Sequence, residues 1–70
     1  MATKKSSLQE LKTRLEVELE DLQEKMSSLN EFIESSDFQN TGEIQQLLLQ
    51  TQTRVMAVYE QILLARYNLL

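Results

Sequence analysis

The chain contains no cysteine, no histidine and no proline, and its only glycine is Gly42. Without cysteine no disulfide can stabilise the fold, and without cysteine or histidine a structural zinc site is excluded. The usual general bases and thiol nucleophiles are also missing, and there is no glycine-rich phosphate loop. We therefore expect a protein that is not an enzyme and that holds no metal and no cofactor.

Acidic residues outnumber basic ones by 11 to 7, which gives a net charge of -4. Duplex nucleic acid binds basic surfaces, so we expect none as a partner. The apolar stretch at residues 54–70, RVMAVYEQILLARYNLL, is interrupted by charges and is shorter than the about 20 residues of a membrane span, so we expect no membrane contact. The stretch MATKKSSLQE lacks the apolar segment of a signal peptide, and the lack of cysteine suits a reducing compartment, which together indicate the cytoplasm.

One stretch interrupts a chain that otherwise favours helix. Residues 35–42, SSDFQNTG, collect side chains that prefer turns. A connector this short makes two helices neighbours, so we predict an all-α fold, an antiparallel two-helix hairpin in a single domain over residues 1–70. The predicted elements are a helix over 7–35, a loop over 36–40 and a helix over 41–69.

Both predicted helix starts carry capping residues. Ser7 and Glu10 have the spacing of a capping box. Asn40 and Glu43 offer the same pattern for the second helix, with Thr41 as a competing cap.

Phe38 is a lone aromatic residue in the polar connection. Because burial of an aromatic side chain is favourable, we expect Phe38 to fold back over the end of the hairpin near Phe32, Ile33 and Leu47.

The two predicted helices differ in apolar patterning. The first carries a single narrow seam on a charged surface. Its seam consists of Leu8, Leu11, Leu15, Leu19, Leu22, Met26, Leu29 and Ile33. We therefore expect the first helix to pack against one partner helix only.

The second helix carries two apolar stripes. The first stripe is Ile44, Leu48, Thr51, Val55, Val58, Ile62, Ala65 and Leu69, and the second is Leu49, Gln52, Met56, Tyr59, Leu63, Arg66 and Leu70. A single partner helix covers only one stripe, so we expect the first to pack on the first helix and the second to meet another chain or a ligand. An isolated hairpin of this size is too small to be stable, which predicts a homo-oligomeric helical bundle, a dimer or a higher assembly.

Four polar residues of the second helix are candidate ligand contacts: Arg54, Tyr59, Arg66 and Tyr67. Arginine forks suit phosphates, and tyrosine rings stack on bases. Arg66 and Tyr59 are two turns apart on one face, which defines a groove about 10 Å long. A structural alternative stays open, in which Arg66 caps the last carbonyls and Tyr59 lies at the edge of a core.

Two stretches, LNEFIESSDFQ and LLLQTQTRVMAVYEQILLAR, resemble a family of very short phage-encoded helical-hairpin proteins first described from crAss-like phages. The family shows a Leu-x-x-Phe-Ile element, a loop phenylalanine, and then Leu-Leu-x-x-Gln, Met-x-x-Tyr and Ile-Leu-x-x-Arg. The matching residues are Leu29, Phe32, Ile33, Phe38, Leu47, Leu48, Met56, Tyr59, Ile62, Leu63 and Arg66. Gln50 and Gln52 lie on either side of the family's glutamine position.

The resemblance implies a function, because the family is similar in size and build to the phage sponge proteins that disarm CBASS and Thoeris bacterial immunity. Those proteins oligomerise and sequester cyclic nucleotide or cyclic ADP-ribose-type signals. The expected role is then an anti-defence sponge in the host bacterial cytoplasm, with such a signal as its partner. A second class stays open, a small oligomeric interaction module that blocks or bridges a host protein through an exposed helical face.

Overall fold

The computed structural model describes residues 2–70, and the side-chain surroundings of residues 7–70. Helix α1 spans Ala2–Glu34, a 3-10 turn spans Ser36–Asn40, and helix α2 spans Glu43–Asn68. The two helices pack along each other as a hairpin, and the described residues form no strand. The predicted all-α hairpin is therefore confirmed. Neither helix of residues 2–70 has the length and apolar character that crossing a membrane requires.

Helix α1 begins at Ala2, ahead of the start that the capping pattern predicted at Ser7. The segment between them contains neither proline nor glycine, so nothing in it breaks a helix. Ser7 consequently lies inside the helix and is not its cap. The other end of α1, at Glu34, is next to the predicted end at residue 35.

The connection between the helices is an ordered 3-10 turn over Ser36–Asn40, where a loop was predicted. Phe38 is buried within it, and its ring meets the Phe32 ring edge to face, with centroids 6.3 Å apart and an interplanar angle of 86°. The predicted burial of Phe38 beside Phe32 is confirmed. Leu47 is 62 % exposed, and its predicted proximity to Phe38 stays a prediction.

Helix α2 begins at Glu43, later than the predicted start at residue 41, because the turn uses Thr41. The Thr41 hydroxyl donates to the Phe38 carbonyl oxygen at 2.7 Å and therefore does not cap α2. The N-cap is Gly42, at φ 88° and ψ 153°, a conformation essentially restricted to glycine. The Gln46 side-chain amide donates to the same Phe38 carbonyl at 3.1 Å, which ties the first turn of α2 to the connection.

The centre of the helix pair consists of Leu15 and Leu22 from α1 and Leu63 from α2. Leu63 has no exposed surface. The partly buried side chains around this centre are Leu11, Leu19, Met26, Met56 and Tyr67. The predicted seam of α1 therefore faces α2, and a hairpin only 57 × 15 × 14 Å leaves the opposite side of each helix in solvent.

The stripe of α2 that contacts α1 is not the predicted one. Leu63 and Met56 of the second stripe pack on α1, while the polar members of that stripe, Gln52, Tyr59 and Arg66, are exposed. Val55, Val58 and Ile62 of the first stripe are 61 %, 55 % and 50 % exposed. The expectation that the first stripe covers α1 is thus wrong.

Polar contacts on the inner side of α2 explain this orientation. The Gln23 amide Nε2 donates to Glu60 Oε2 at 3.0 Å, and the Tyr67 hydroxyl donates to Glu16 Oε1 at 2.9 Å. Both bonds link α2 to α1, so hydrogen bonding and apolar packing select the same side of α2. Periodicity cannot reveal that side, because both stripes repeat every three or four residues, and a count of apolar residues favours the first stripe, which is the exposed one.

Candidate functional site

One side of α2 is turned away from α1 and carries eight exposed residues, which we call the outer face. They are Ile44, Leu48, Thr51, Val55, Val58, Ile62, Ala65 and Leu69. Six of the eight are large and apolar and at least half exposed. A contiguous apolar surface of this kind marks a site of interaction.

The middle of the outer face forms a shallow, open groove. Its lining consists of Arg54, Val55, Val58, Tyr59 and Ile62. Apart from the Arg54 guanidinium and the Tyr59 hydroxyl, the groove offers only hydrocarbon surface. The depressions on α1, by contrast, are lined by charged and polar side chains.

Three of the four candidate ligand residues border the outer face. Tyr59 and Arg66 are both exposed and lie two turns apart along one edge of it, about 10 Å from each other along the helix axis. Arg54 is exposed and lies along the opposite edge. The groove therefore has Tyr59 and Arg66 along one edge and Arg54 along the other.

The outer face is bordered by two arginines, Arg54 and Arg66, although the chain is acidic. Helix α2 contains only two carboxylates, Glu43 and Glu60. Glu60 accepts the hydrogen bond from Gln23 on the side of α1, and Glu43 lies in the first turn, about 16 Å along the axis from Arg54. Salt screens charges beyond about 8–10 Å, so Glu43 does not offset the charge of Arg54, whereas Glu60, about 9 Å along the axis from Arg54 and from Arg66, offsets it only in part.

The structure separates the fourth candidate, Tyr67, from the other three. Its hydroxyl donates to Glu16 Oε1 at 2.9 Å, and the Lys12 ammonium lies 5.3 Å from the centroid of its ring. The hydrogen bond to Glu16, followed by desolvation and the Glu16 charge, raises the pKa of Tyr67 above its ordinary value of 10.0. Tyr67 therefore ties the end of α2 to α1 and does not border the outer face.

Sequence reasoning missed the residues that line the groove. The sequence placed Val55, Val58 and Ile62 in the contact with α1, and it identified only arginines and tyrosines as ligand contacts. A signal was present in the distribution of charge, because residues 44–70 contain a single carboxylate, Glu60. A stripe flanked by arginines and free of carboxylates is a natural surface for an anion.

The outer face combines three kinds of chemistry. Guanidinium groups bind phosphate oxygens through paired hydrogen bonds, a phenol ring stacks on a base, and aliphatic side chains cover the apolar parts of a ligand. This combination can hold a planar molecule that carries phosphate.

The fold and the outer face define the class of this protein as a small helical hairpin with one exposed apolar side bordered by arginines. The family model named Sequestin matches residues 9–69, and the chain therefore belongs to the Sequestin family. The name of the family indicates the sequestration of a molecule. Comparisons with curated proteins and with solved structures gave no match.

Proposed function

We propose that this chain is a phage counter-defence sponge, which binds and sequesters a cyclic nucleotide or cyclic ADP-ribose-type immune signal without catalysis. Membership of the Sequestin family supports a sequestering role. The observation that carries the choice of ligand is the outer face, where Arg54 and Arg66 flank apolar side chains and Tyr59, and where the nearest carboxylate of α2, Glu60, accepts a hydrogen bond from Gln23 of α1. The resemblance to phage sponge proteins supplies the biological setting, the cytoplasm of an infected bacterium.

Each of the three residues has a distinct role in the proposed site. Arg66 forms a two-pronged contact with a phosphate of the signal. Tyr59 stacks on a base, which contributes roughly 1–3 kcal/mol at comparable stacking sites. Arg54 neutralises a second negative charge from the opposite edge, and Tyr67 acts indirectly by fixing the end of α2 against α1.

A sequestering protein binds its signal in a fixed ratio and does not convert it. A sponge lowers the free concentration of a signal by binding one or more molecules per assembly, so its capacity is limited by its abundance. The proposed site acts through hydrogen bonds, stacking and apolar contact, and the signal leaves it chemically unchanged. Chains that self-associate into a homo-oligomer would bring several such sites together.

A thermal-shift screen against cyclic dinucleotides, cyclic trinucleotides and cyclic ADP-ribose isomers tests the proposal. A ligand that binds only the folded state, present at 100 times its Kd, stabilises that state by about 2.7 kcal/mol. Arg66→Ala should fold and assemble like the parent but lose the stabilisation. Arg14→Ala, which removes an exposed arginine of α1, is the matched control and should keep it.

The apolar character of the outer face also favours a second candidate, a protein-interaction module. A helix with exposed Val55, Val58 and Ile62 has the pattern of a segment that docks in a groove of another protein. Such a module would block or bridge a host protein and would ignore nucleotides. An unchanged melting temperature with every nucleotide, together with capture of a host protein that Val58→Glu abolishes, would favour this candidate over the sponge.

A further inference from the structure

We infer that Gln52 is a specificity-determining residue of the proposed site, in which its side-chain amide forms hydrogen bonds with the edge of the base that stacks on Tyr59. The inference rests on the proposed function, and it adds a group that distinguishes one base from another to groups that hold any nucleotide. Gln52 is exposed and belongs neither to the core of the hairpin nor to the lining of the groove. Its side chain is therefore available to a ligand.

Gln52, Tyr59 and Arg66 form a straight row along one edge of α2. Neighbouring members of the row are seven residues apart, which is close to two full turns, so they follow one another at intervals of about 10 Å. All three side chains are exposed. The row therefore presents an amide, a phenol ring and a guanidinium group in this order along the helix.

The amide of Gln52 is held on the stretch of α2 that the ring of Tyr59 overlies. Its Nε2 is 3.9 Å from the sulfur of Met56, a residue one turn further along α2 in the direction of Tyr59. A helical side chain covers the turn before its own Cα, so the Met56 sulfur and the Tyr59 ring both lie over the part of α2 between Gln52 and Tyr59. A base stacked on the ring therefore comes within hydrogen-bonding reach of the amide.

The Gln52 amide has unused hydrogen-bonding capacity. It carries two N–H donors and an oxygen acceptor, and among residues 7–70 its one contact is with a thioether sulfur, which is a weak acceptor. Two other glutamines have structural partners instead, since Gln46 donates to the Phe38 carbonyl oxygen and Gln23 donates to Glu60. A ligand with nitrogen or oxygen partners can displace the sulfur contact of Gln52 at little cost.

The chemistry of an amide suits the recognition of a base edge. A glutamine amide presents a donor beside an acceptor, so it forms two hydrogen bonds with adenine, which shows an acceptor at N7 beside its exocyclic amine. Guanine shows two acceptors at the corresponding positions and leaves the amide with one bond. Stacking on Tyr59 tolerates every base, and a phosphate contact from Arg66 carries no information about the base. Discrimination between bases therefore depends on Gln52.

The test compares pairs of probes that differ only in the base. The pairs are cyclic di-AMP with cyclic di-GMP, cyclic tri-AMP with cyclic tri-GMP, and cyclic ADP-ribose with cyclic IDP-ribose, which carries an oxygen in place of the exocyclic nitrogen. The Kd of each probe is measured by isothermal titration calorimetry. In a pair that binds, we expect the parent to prefer the member with the exocyclic nitrogen by at least about fivefold.

Two variants separate recognition of the base from recognition of the phosphate. Gln52→Leu removes both polar atoms of the amide, so it should bring the ratio of the two Kd values to about one. Arg66→Ala should weaken both members of the pair and keep their ratio. Gln61→Leu is the matched control, because Gln61 is exposed and lies nine residues from Gln52, two and a half turns away on the opposite side of α2. It should keep the affinity and the ratio of the parent.

A parent that binds both members of a pair equally, or that prefers the member without the exocyclic nitrogen, would overturn the inference and leave the sponge proposal in place. A ratio that Gln52→Leu leaves unchanged has the same meaning, once circular dichroism has shown that the variant is helical. If it is not helical, Gln52→Met provides the same test with an unbranched side chain. A parent that binds no member of any pair would overturn the sponge proposal and the inference together.

Discussion

The Tyr67 hydroxyl donates a hydrogen bond of 2.9 Å to Glu16 Oε1 and thereby joins the last turns of α2 to α1. The Lys12 ammonium, 5.3 Å from the centre of the Tyr67 ring, adds a cation–π contact on the same side. These contacts lie at the open end of the hairpin, on the side of α2 that faces α1. They accompany a rotation of α2 in which Val58 and Ile62 face solvent while Leu63 faces α1.

Titration of Tyr67 tests this contact. In a Tyr59→Phe chain Tyr67 is the only tyrosine, and its absorbance change on ionisation should have a midpoint above pH 10.0, because the hydrogen bond to Glu16 favours the protonated phenol. Adding Glu16→Ala removes the acceptor and its charge and should lower that midpoint toward 10. An unchanged midpoint after Glu16→Ala would show that Tyr67 does not contact Glu16 in solution.

The raised pKa of Tyr67 also predicts how the stability of the fold depends on pH. The folded state holds the phenol proton more tightly than the unfolded state does, so the contribution of this contact is fully present below about pH 10. It is lost as the pH rises through the higher pKa of the folded state. The urea midpoint of the Tyr59→Phe chain should therefore fall more between pH 9 and pH 11 than that of the same chain with Tyr67→Phe added. This range covers about one pH unit on either side of the ordinary pKa of tyrosine.

Phe38→Ala should lower the free energy of unfolding by roughly 2–4 kcal/mol, because Phe38 is buried and meets Phe32 edge to face. Urea unfolding followed by circular dichroism measures the change. Leu47→Ala is the control, since an exposed side chain contributes within about 0.5 kcal/mol. Equal effects of the two substitutions would mean that Phe38 is exposed in solution.

Gly42→Ala should destabilise the hairpin by about 1–3 kcal/mol, the usual range for a residue held in a sparsely populated conformation. The cost arises from the backbone alone, because φ is 88° and no neighbouring atom of the described residues lies within 4 Å of the point that an alanine Cβ would occupy. A chain synthesised with D-alanine at position 42 is the matched control, since the D-residue prefers positive φ, and it should remain as stable as the parent. Loss of stability in the D-alanine chain would contradict this explanation.

Leu63→Ala and Val55→Ala test the rotation of α2. Leu63 is fully buried against α1, so its truncation should cost about 2–5 kcal/mol at every protein concentration. Val55 is 61 % exposed in the hairpin, so its truncation should leave the hairpin itself nearly unchanged and should weaken only the homo-oligomer that the sequence predicts. Urea midpoints measured over a hundredfold dilution separate the two effects, and a larger cost for Val55→Ala at the lowest concentration would show that the first stripe is the one that packs on α1.

Much of this fold could be predicted from the sequence. The turn residues around Gly42 located the connection, and the single seam of α1 identified the side that carries Leu15 and Leu22. Phe38 could be assigned to a buried position because a lone aromatic residue in a polar turn needs a partner. These predictions succeeded because each relies on a local pattern with one reasonable outcome.

The orientation of α2 could not be predicted in the same way. Both stripes satisfy helical periodicity, and the choice between them depends on contacts between distant residues, such as Tyr67 with Glu16 and Gln23 with Glu60. The same limit applies to the site. Arg54, Tyr59 and Arg66 could be named from their chemistry, but Tyr67 could not be separated from them until its position relative to α1 was known.

The most direct test of the account is to measure whether the chain removes a free signal and returns it intact. A cyclic nucleotide or cyclic ADP-ribose isomer that raises the melting temperature is mixed with excess protein, and the free signal is quantified by ultrafiltration and chromatography. The sample is then heated until the protein unfolds, and the signal is quantified again. The account predicts that the free signal disappears with the parent and with Arg14→Ala, persists with Arg66→Ala, and reappears chemically unchanged after heating. A free signal that persists with the parent, or one that returns as a cleaved product, would contradict sequestration without catalysis.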